Sequence, residues 1–313
     1  MSLPEDLFVE IIPYLSVHPL LNFRVVSKAA VEYAKEYKGD AIRIKSLKKW
    51  RACFPRATRA NISGHEVCMN DMKYLDNVQD LDLSFCCPYL ETIQHFHFST
   101  KWFHLPGLKK LTLMGNNQMT DECLAQFTEL EDLSISHSNQ HITGSGFCEM
   151  KLKRLNLVSM RYITDEALMG LQLEDLTIIS NSRITDVGIR QLTKLTKLYL
   201  SWNLCIKCCG FEELPLKQLF VSDLYVDHEV FRSLARVPKL VFCQCHFLDS
   251  AYCLWKNLTH LNVYDSGFEE IDDLAKLMEL PHFVQLTLTR CPPMTLSVQE
   301  KMGAKLVTWH RQK

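Results

Sequence analysis

The chain has 313 residues, of which 47% are hydrophobic, so it can bury a substantial core and is not expected to be disordered. Lysine and arginine number 35 against 36 aspartate and glutamate, which leaves no strong overall field to attract nucleic acid or an anionic membrane. We therefore expect any partner to be recognised by a local surface.

The N-terminus, MSLPEDLFVEIIPYL, lacks the features of a secretory leader. Glu5 and Asp6 stand where a signal peptide would carry lysine or arginine. No later run approaches the roughly 18 apolar residues of a membrane span. These observations predict an intracellular protein, cytoplasmic, nuclear or both, without a membrane partner. The 13 cysteines are then expected to be reduced thiols that behave as small apolar groups.

The segment that begins at the N-terminus is apolar on two sides. Leu7, Ile11 and Leu15 line one face of a predicted helix, while Phe8 and Ile12 line another. One face can pack on the chain's own domain. The other face is expected to need a partner, unless the segment only caps the end of the repeat array described below.

The same segment resembles an F-box. The F-box pattern is matched here by Leu3-Pro4, Leu7, Ile11, Ile12, Tyr14-Leu15, Leu20-Leu21 and Val26-Ser27-Lys28. The resemblance assigns residues 1–38 to an F-box domain and implies a Skp-type adaptor as partner, linked to a cullin and a RING protein. The residues implied to contact the adaptor are Leu3, Pro4, Leu7, Phe8, Ile11, Ile12, Leu15, Leu20, Leu21 and Val26.

Residues 39–80 are interpreted as a linker with two degenerate repeats, at Ile42-Arg43-Ile44 and Ala60-Asn61-Ile62. The stretch 41–65 contains seven basic residues and no acidic one. Such a stretch is typical of a solvated surface, and the alternative is a nuclear-import or phosphate-contacting patch.

Residues 81–313 carry a regular repeat. A leucine triplet, Leu-x-aliphatic in most copies, begins at Leu81, Leu111, Leu133, Leu155, Leu176, Leu198, Leu219, Leu240, Leu261, Leu286 and Leu306. Another apolar residue precedes most triplets by three positions, and positions such as Asn116, Asn181 and Cys245 follow the first leucine by five. This frame resembles a leucine-rich repeat, and phrases such as Ile163-Thr164-Asp165 resemble its cysteine-containing subclass.

The resemblance implies an α/β repeat fold, with an N-terminal helical F-box followed by a leucine-rich-repeat solenoid. Its parallel concave sheet would be backed by convex helices or loops that share one continuous core. A Thr or Asp just before an apolar stretch is typical of a helix N-cap, so each strand is predicted to lead into a short helix.

Two cysteine clusters, Cys205-x-x-Cys208-Cys209 and Cys243-x-Cys245-His246, have spacings similar to those of zinc sites. The repeat register places Cys245 at an inward position and separates the clusters by two repeats. We therefore predict no metal and no cofactor. The sequence also has no Gly-rich phosphate loop or nucleophile elbow, so no catalytic residues are assigned and the chain is not expected to be an enzyme.

The residue between the two buried positions of each triplet should point out of the sheet. In the C-terminal half this column changes from small polar residues to Tyr199, Phe220 and Val241. Because aromatic residues supply much of the energy of interfaces, we predict a substrate-binding surface here, unless a loop of the chain covers it. Its predicted residues are Tyr199, Trp202, Phe220, Val241, His260 and Tyr264.

These patterns together predict the substrate-recognition subunit of an SCF (Skp-cullin-F-box) ubiquitin ligase. It would bind the adaptor through the F-box and a protein substrate on the repeat surface, without making or breaking bonds itself. The alternative is a non-catalytic scaffold or inhibitor whose repeats bind a protein partner independently of a ligase.

Overall fold

The computed structural model describes residues 46–64, 66–67, 73–88, 105–116, 119–136 and 141–310. The F-box resemblance and its ten predicted adaptor-binding residues, from Leu3 to Val26, lie outside the described residues, as does the degenerate repeat at 42–44. The chain divides into two compact units, Met1–Leu152 and Lys153–Lys313.

The described part of the first unit begins with helix α1, Leu47–Cys53. The Ser46 hydroxyl caps this helix by accepting a hydrogen bond from the Lys49 amide at 3.4 Å. At the other end, the Arg51 guanidinium donates to the carbonyls of Tyr74 at 2.6 Å and Ala57 at 3.0 Å. One residue of the basic stretch therefore joins the helix to the chain that follows it.

The first unit contains parallel strands that follow the leucine triplets. They are β1 Arg59–Asn61, β3 Asp80–Asp82, β5 Lys110–Met114 and β6 Asp132–Ser136, with a separate pair formed by β2 Glu66–Val67 and β4 Cys87–Pro88. Ala60 is in register with Leu81, Leu81 with Leu111, and Leu111 with Leu133. Residues 59–61 of the degenerate repeat at Ala60 thus form a strand of the sheet.

The second unit continues the same pattern. Its main strands are β7 Arg154–Val158, β8 Asp175–Ile179, β9 Lys197–Ser201, β10 Gln218–Ser222, β12 Lys239–Cys243, β14 His260–Tyr264, β16 Gln285–Thr289 and β17 Leu306–His310. Neighbouring strands are parallel, and the first leucines of successive triplets pair from Leu155 to Leu306. A second small parallel sheet is formed by β11 Tyr225–Val226, β13 His246–Phe247 and β15 Gly267–Phe268.

The core is built from three apolar positions of each repeat. In β14, Leu261 and Val263 are fully buried, while Asn262 between them is partly exposed. The apolar residue three positions before each triplet from Leu81 to Leu286 is also buried, as Leu258 is for this repeat. The predicted leucine frame is therefore confirmed, because the alternation along each strand sends the leucines inward.

An aromatic cluster fills part of the core of the second unit. The Trp255 ring stacks on Phe231 with centroids 4.4 Å apart, and its indole N–H donates to the Phe231 carbonyl at 3.1 Å. Tyr252 meets Phe231 edge-on at 5.2 Å, and burial raises the pKa of the Tyr252 phenol. Buried aromatic residues of this kind contribute large apolar areas in defined geometries.

Asn181 shows how the position five residues after the first leucine works. Its side chain is buried, and its amide nitrogen donates to the carbonyls of Met160 at 2.7 Å and Ile163 at 3.1 Å. Its amide oxygen accepts from the backbone of Arg183 and Ile184, each at 2.7 Å. One side chain therefore satisfies four backbone groups, two carbonyls of the preceding repeat and two amides of its own turn.

Short helices follow several strands, but not all of them. The α-helices are α2 Asp121–Leu124, α3 Asp186–Arg190, α4 His228–Ser233 and α5 Leu296–Met302, and 3-10 turns lie at Phe147–Glu149, Asp165–Leu168, Tyr252–Leu254 and Ile271–Glu279. Between β9 and β10, residues 202–217 contain no helix. The prediction of a helix after every strand is wrong there, because Cys208 and Gly210 adopt left-handed backbone, with φ of 58° and 75°.

In two of the Thr-Asp phrases, the aspartate links its repeat to the next. The Asp165 carboxylate accepts hydrogen bonds from the Thr185 amide at 2.8 Å and the Thr185 hydroxyl at 2.7 Å. Asp121 makes the same two bonds to Thr143, at 2.8 and 2.7 Å. A Cβ atom on Gly188 would lie 2.4 Å from the Asp165 carboxylate, so only glycine leaves room for this link.

Candidate protein-binding surface

Tyr199, Phe220 and Val241 form a row on the outer surface of the second unit's sheet, which we call the central patch. Phe220 of β10 is in register with Tyr199 of β9 on one side and Val241 of β12 on the other. The Tyr199 and Phe220 rings stack with centroids 4.0 Å apart and planes 3° from parallel. This is the arrangement that the register predicted, since neighbouring strands lie about 4.8 Å apart.

All three side chains of the central patch are partly exposed. The residues that precede and follow them along each strand, such as Leu219 and Val221, are buried. Partial burial, together with the nearby Cys243, raises the pKa of the Tyr199 phenol. Within the described chain, no loop covers the three side chains completely.

Trp202 lies at the C-terminal edge of this surface and is 62% exposed. It directly follows β9 and has left-handed backbone, with φ of 58°. Ser180 and Asp223 hold the same repeat position and the same conformation, with φ of 55° and 60°. A bulky side chain is unfavourable in this region of backbone space, whereas Asp and Asn tolerate it, so tryptophan is an unexpected residue here.

The other two predicted residues lie at opposite ends of β14. His260 begins the strand, where its Nδ1 atom is 2.9 Å from the Thr259 hydroxyl. Tyr264 ends the strand, in register with Cys243 of β12. Strand β14 is three strands from β9, roughly 14 Å away. The structure therefore brings together the central patch and places His260 and Tyr264 at its margins, not in one cluster with Trp202.

Two exposed apolar residues of this region were missed by the sequence reasoning. Leu204 is 84% exposed and Tyr225 is 65% exposed. They hold the same repeat position, six residues after Leu198 and Leu219 respectively. Tyr225 stacks on His246 of the next repeat with centroids 5.6 Å apart. The signal that would have found them is this position, where other repeats carry polar residues such as Ser182 and Arg161.

Opposite charges flank the central patch. At the C-terminal edge, the exposed Asp223 carboxylate accepts a hydrogen bond from the Ser222 hydroxyl. At the N-terminal edge, Lys197 and Lys239 are exposed. Among the described residues, none of these three charged groups forms an ion pair within 4.0 Å. The surface is thus apolar in the middle, with an acidic edge and a basic edge.

The cysteine clusters are divided between the core and the surface. Cys208 is buried, whereas Cys205 is exposed. Cys245 is buried at its predicted inward position, its Sγ donates to the Cys243 carbonyl at 3.3 Å, and burial raises its pKa from 9.0 to about 12. Across the described ranges, no set of three or more His, Cys, Asp or Glu side chains is arranged to hold a metal ion.

Comparisons with known proteins identify the fold. No family model matches the chain, and no curated protein matches it. Among solved structures, it is similar to the octameric complex of Latrophilin 3, Unc5D and FLRT2, in which FLRT2 provides leucine-rich repeats. That match has 17% identity and a TM-score of 0.53, and covers 80% of this chain and 82% of the other.

A second similar structure is an internalin from Listeria monocytogenes, at 18% identity and a TM-score of 0.45, covering 83% of this chain and 68% of the internalin. Strand order, register and the structural match together show that the chain has the leucine-rich-repeat fold. None of the helices in the described ranges has the length and apolar character that crossing a bilayer would require.

Proposed function

We propose that the chain is a protein-binding receptor that recognises its partner on the central patch. The observation that carries this proposal is the partly exposed stack of Tyr199 on Phe220, extended by Val241. Apolar side chains that stand together on a sheet surface, beside an exposed tryptophan, have the composition of an interface hot spot.

We further propose that this receptor is the substrate-recognition subunit of an SCF-type ubiquitin ligase. The support is the resemblance of the N-terminal segment, including Leu7, Ile11 and Leu15, to an F-box that precedes the repeats. In this role the segment binds a Skp-type adaptor, and the repeats hold the substrate near the cullin-bound machinery. Ubiquitin transfer is then performed by other subunits, so the chain needs no catalytic residues of its own.

The test uses purified Skp-type adaptor and full-length chain. Wild type should retain the adaptor, and a variant with Leu7→Asp and Ile11→Asp should lose it, because charged groups cannot enter an apolar interface. Phe220→Ala serves as the matched control and should retain the adaptor. If wild type binds no adaptor, or if the double variant binds it equally well, the ligase assignment is wrong.

The same variants separate the receptor from a scaffold that acts without a ligase. In affinity purification from cells, a chain that lacks residues 1–38 should lose the adaptor and cullin but keep substrate proteins. The Phe220→Ala variant should keep the adaptor and cullin but lose the substrate proteins. Retention of a partner without any cullin in the wild-type sample would favour the scaffold.

A further inference from the structure

The edge of the central patch contains a group of residues that suits a cation. Asp223 directly follows Ser222, whose hydroxyl lies 2.9 Å from that of Ser201, and Trp202 directly follows Ser201. Trp202 and Asp223 are therefore neighbours on adjacent repeats. Tyr225, two residues after Asp223, adds a second exposed ring. We call Trp202, Asp223 and Tyr225 the edge site.

The carboxylate of the edge site differs from the other acid of its row. Asp265 holds the same repeat position two strands further on, and the Arg290 guanidinium contacts it at 2.7 Å. Asp223 forms no such ion pair within the described chain, and its carboxylate accepts a hydrogen bond from the Ser222 hydroxyl. One carboxylate of the row is therefore already neutralised, and the other is available to a positive group from outside.

Exposed rings beside an available carboxylate favour one kind of ligand group. An ammonium or guanidinium is attracted to the faces of Trp and Tyr rings, and it also pairs with a carboxylate. A guanidinium can in addition stack on an aromatic face, which an ammonium cannot do. An acidic group would be repelled by Asp223, and a purely apolar group would leave the carboxylate without a partner.

We propose that the surface binds a protein segment in which a lysine or arginine side chain contacts the edge site while an aliphatic or aromatic side chain covers the central patch. This inference rests on the proposed receptor function and specifies the class of its ligand. Lys197 and Lys239 lie at the N-terminal ends of strands β9 and β12, and Lys197 is five residues before Trp202. Five residues of strand span roughly 16 Å, so the segment is expected to carry an acidic group about that far from its basic residue.

The experiment uses the full-length chain and a library of random linear peptides displayed on phage. Peptides selected by wild type are synthesised, and their affinities are measured by fluorescence anisotropy. Enriched peptides should carry a lysine or arginine near an aliphatic or aromatic residue. Asp223→Asn should weaken their binding about tenfold, because it removes the charge that pairs with the basic residue. Added salt should weaken wild-type binding more than binding by this variant.

Two controls make the test specific. Asp265→Asn, at the same repeat position, should change the affinity less than twofold because Arg290 already pairs with that carboxylate. Asparagine is well tolerated in left-handed backbone, so Asp223→Asn should leave the unfolding midpoint unchanged, and Asp265→Asn should lower it only slightly through loss of the exposed ion pair. A loss of affinity at Asp223 with an unchanged midpoint then supports the edge site directly.

The remaining outcomes overturn the inference in distinguishable ways. If selected peptides depend on Phe220 but carry no basic residue, or if Asp223→Asn binds as well as wild type, the edge site is wrong and the receptor function stands. If none of the peptides selected by wild type binds the Phe220→Ala variant more weakly than wild type, the receptor function and the edge site are both wrong. If the chain instead self-associates and Phe220→Ala prevents it, a second copy covers the patch, and the inferred ligand is wrong.

Discussion

Replacing Asn181 with alanine should destabilise the second unit more than any change on its sheet surface. The side chain satisfies two carbonyls and two amides of the backbone. Of the four residues concerned, Met160, Ile163 and Ile184 are buried, while Arg183 is exposed to water. Each buried polar group left without a partner costs about 1–3 kcal/mol, so with three such groups we expect a loss of at least about 3 kcal/mol in the free energy of unfolding.

The measurement is urea unfolding of the full chain, followed by circular dichroism. Asn262→Ala is the matched control, since that asparagine is partly exposed on the sheet, and it should cost less than about 0.5 kcal/mol. Asn181→Cys should fall between alanine and wild type, because the Cys245 thiol at the same repeat position still donates to a carbonyl. A loss below about 1 kcal/mol for Asn181→Ala would show that the turn backbone does not depend on this side chain.

Three further predictions concern packing, titration and binding. Gly188→Ala should lower the free energy of unfolding by about 1–3 kcal/mol in the same urea assay, because its Cβ would overlap the Asp165 carboxylate, and an unchanged value would contradict that contact. The Cys245 thiol, whose pKa is raised from 9.0 to about 12, should resist alkylation in the folded chain while Cys205 reacts quickly. Between about pH 9 and 12, the Cys245 thiol keeps its proton in the folded chain but loses it in the unfolded chain. The free energy of unfolding should therefore fall as the pH rises through this range, and Cys245→Ser should make that fall less steep. Trp202→Asn should weaken partner binding by about 2 kcal/mol without lowering stability, since asparagine suits the left-handed backbone, and a lower unfolding midpoint would mean that the ring is part of the packing.

The leucine spacing was sufficient to predict the strands and their register. The pairing of Leu198 with Leu219 and the side-by-side placement of Tyr199 and Phe220 both follow from a period of about 21 residues. The inward orientation of Asn181 follows from the same frame. These features depend on local alternation and repetition, which a single sequence displays directly.

Features that depend on contacts between repeats were not predicted. The Thr-Asp phrase indicates a local helix cap, but the bonds from Asp165 reach Thr185 of the next repeat. The repeat frame places Arg290 one repeat after Asp265 and Gln244 one repeat after Asp223, but the 2.7 Å contact between the Arg290 and Asp265 side chains is visible only in the structure. Such contacts depend on side-chain conformation after folding, and residue spacing alone does not encode them.

The bonds of Asn181 and Asp165 have a consequence for how a chain of this kind can change its length. Asn181 bonds to carbonyls of the preceding repeat, and Asp165 bonds to the threonine of the following one. A unit of one full period keeps each residue at its repeat position, so after duplication or deletion the backbone groups that Asn181 and Asp165 bond again face a neighbouring repeat. A partial unit leaves a buried donor or acceptor without its partner. Evolution can therefore lengthen or shorten the array most readily in whole periods.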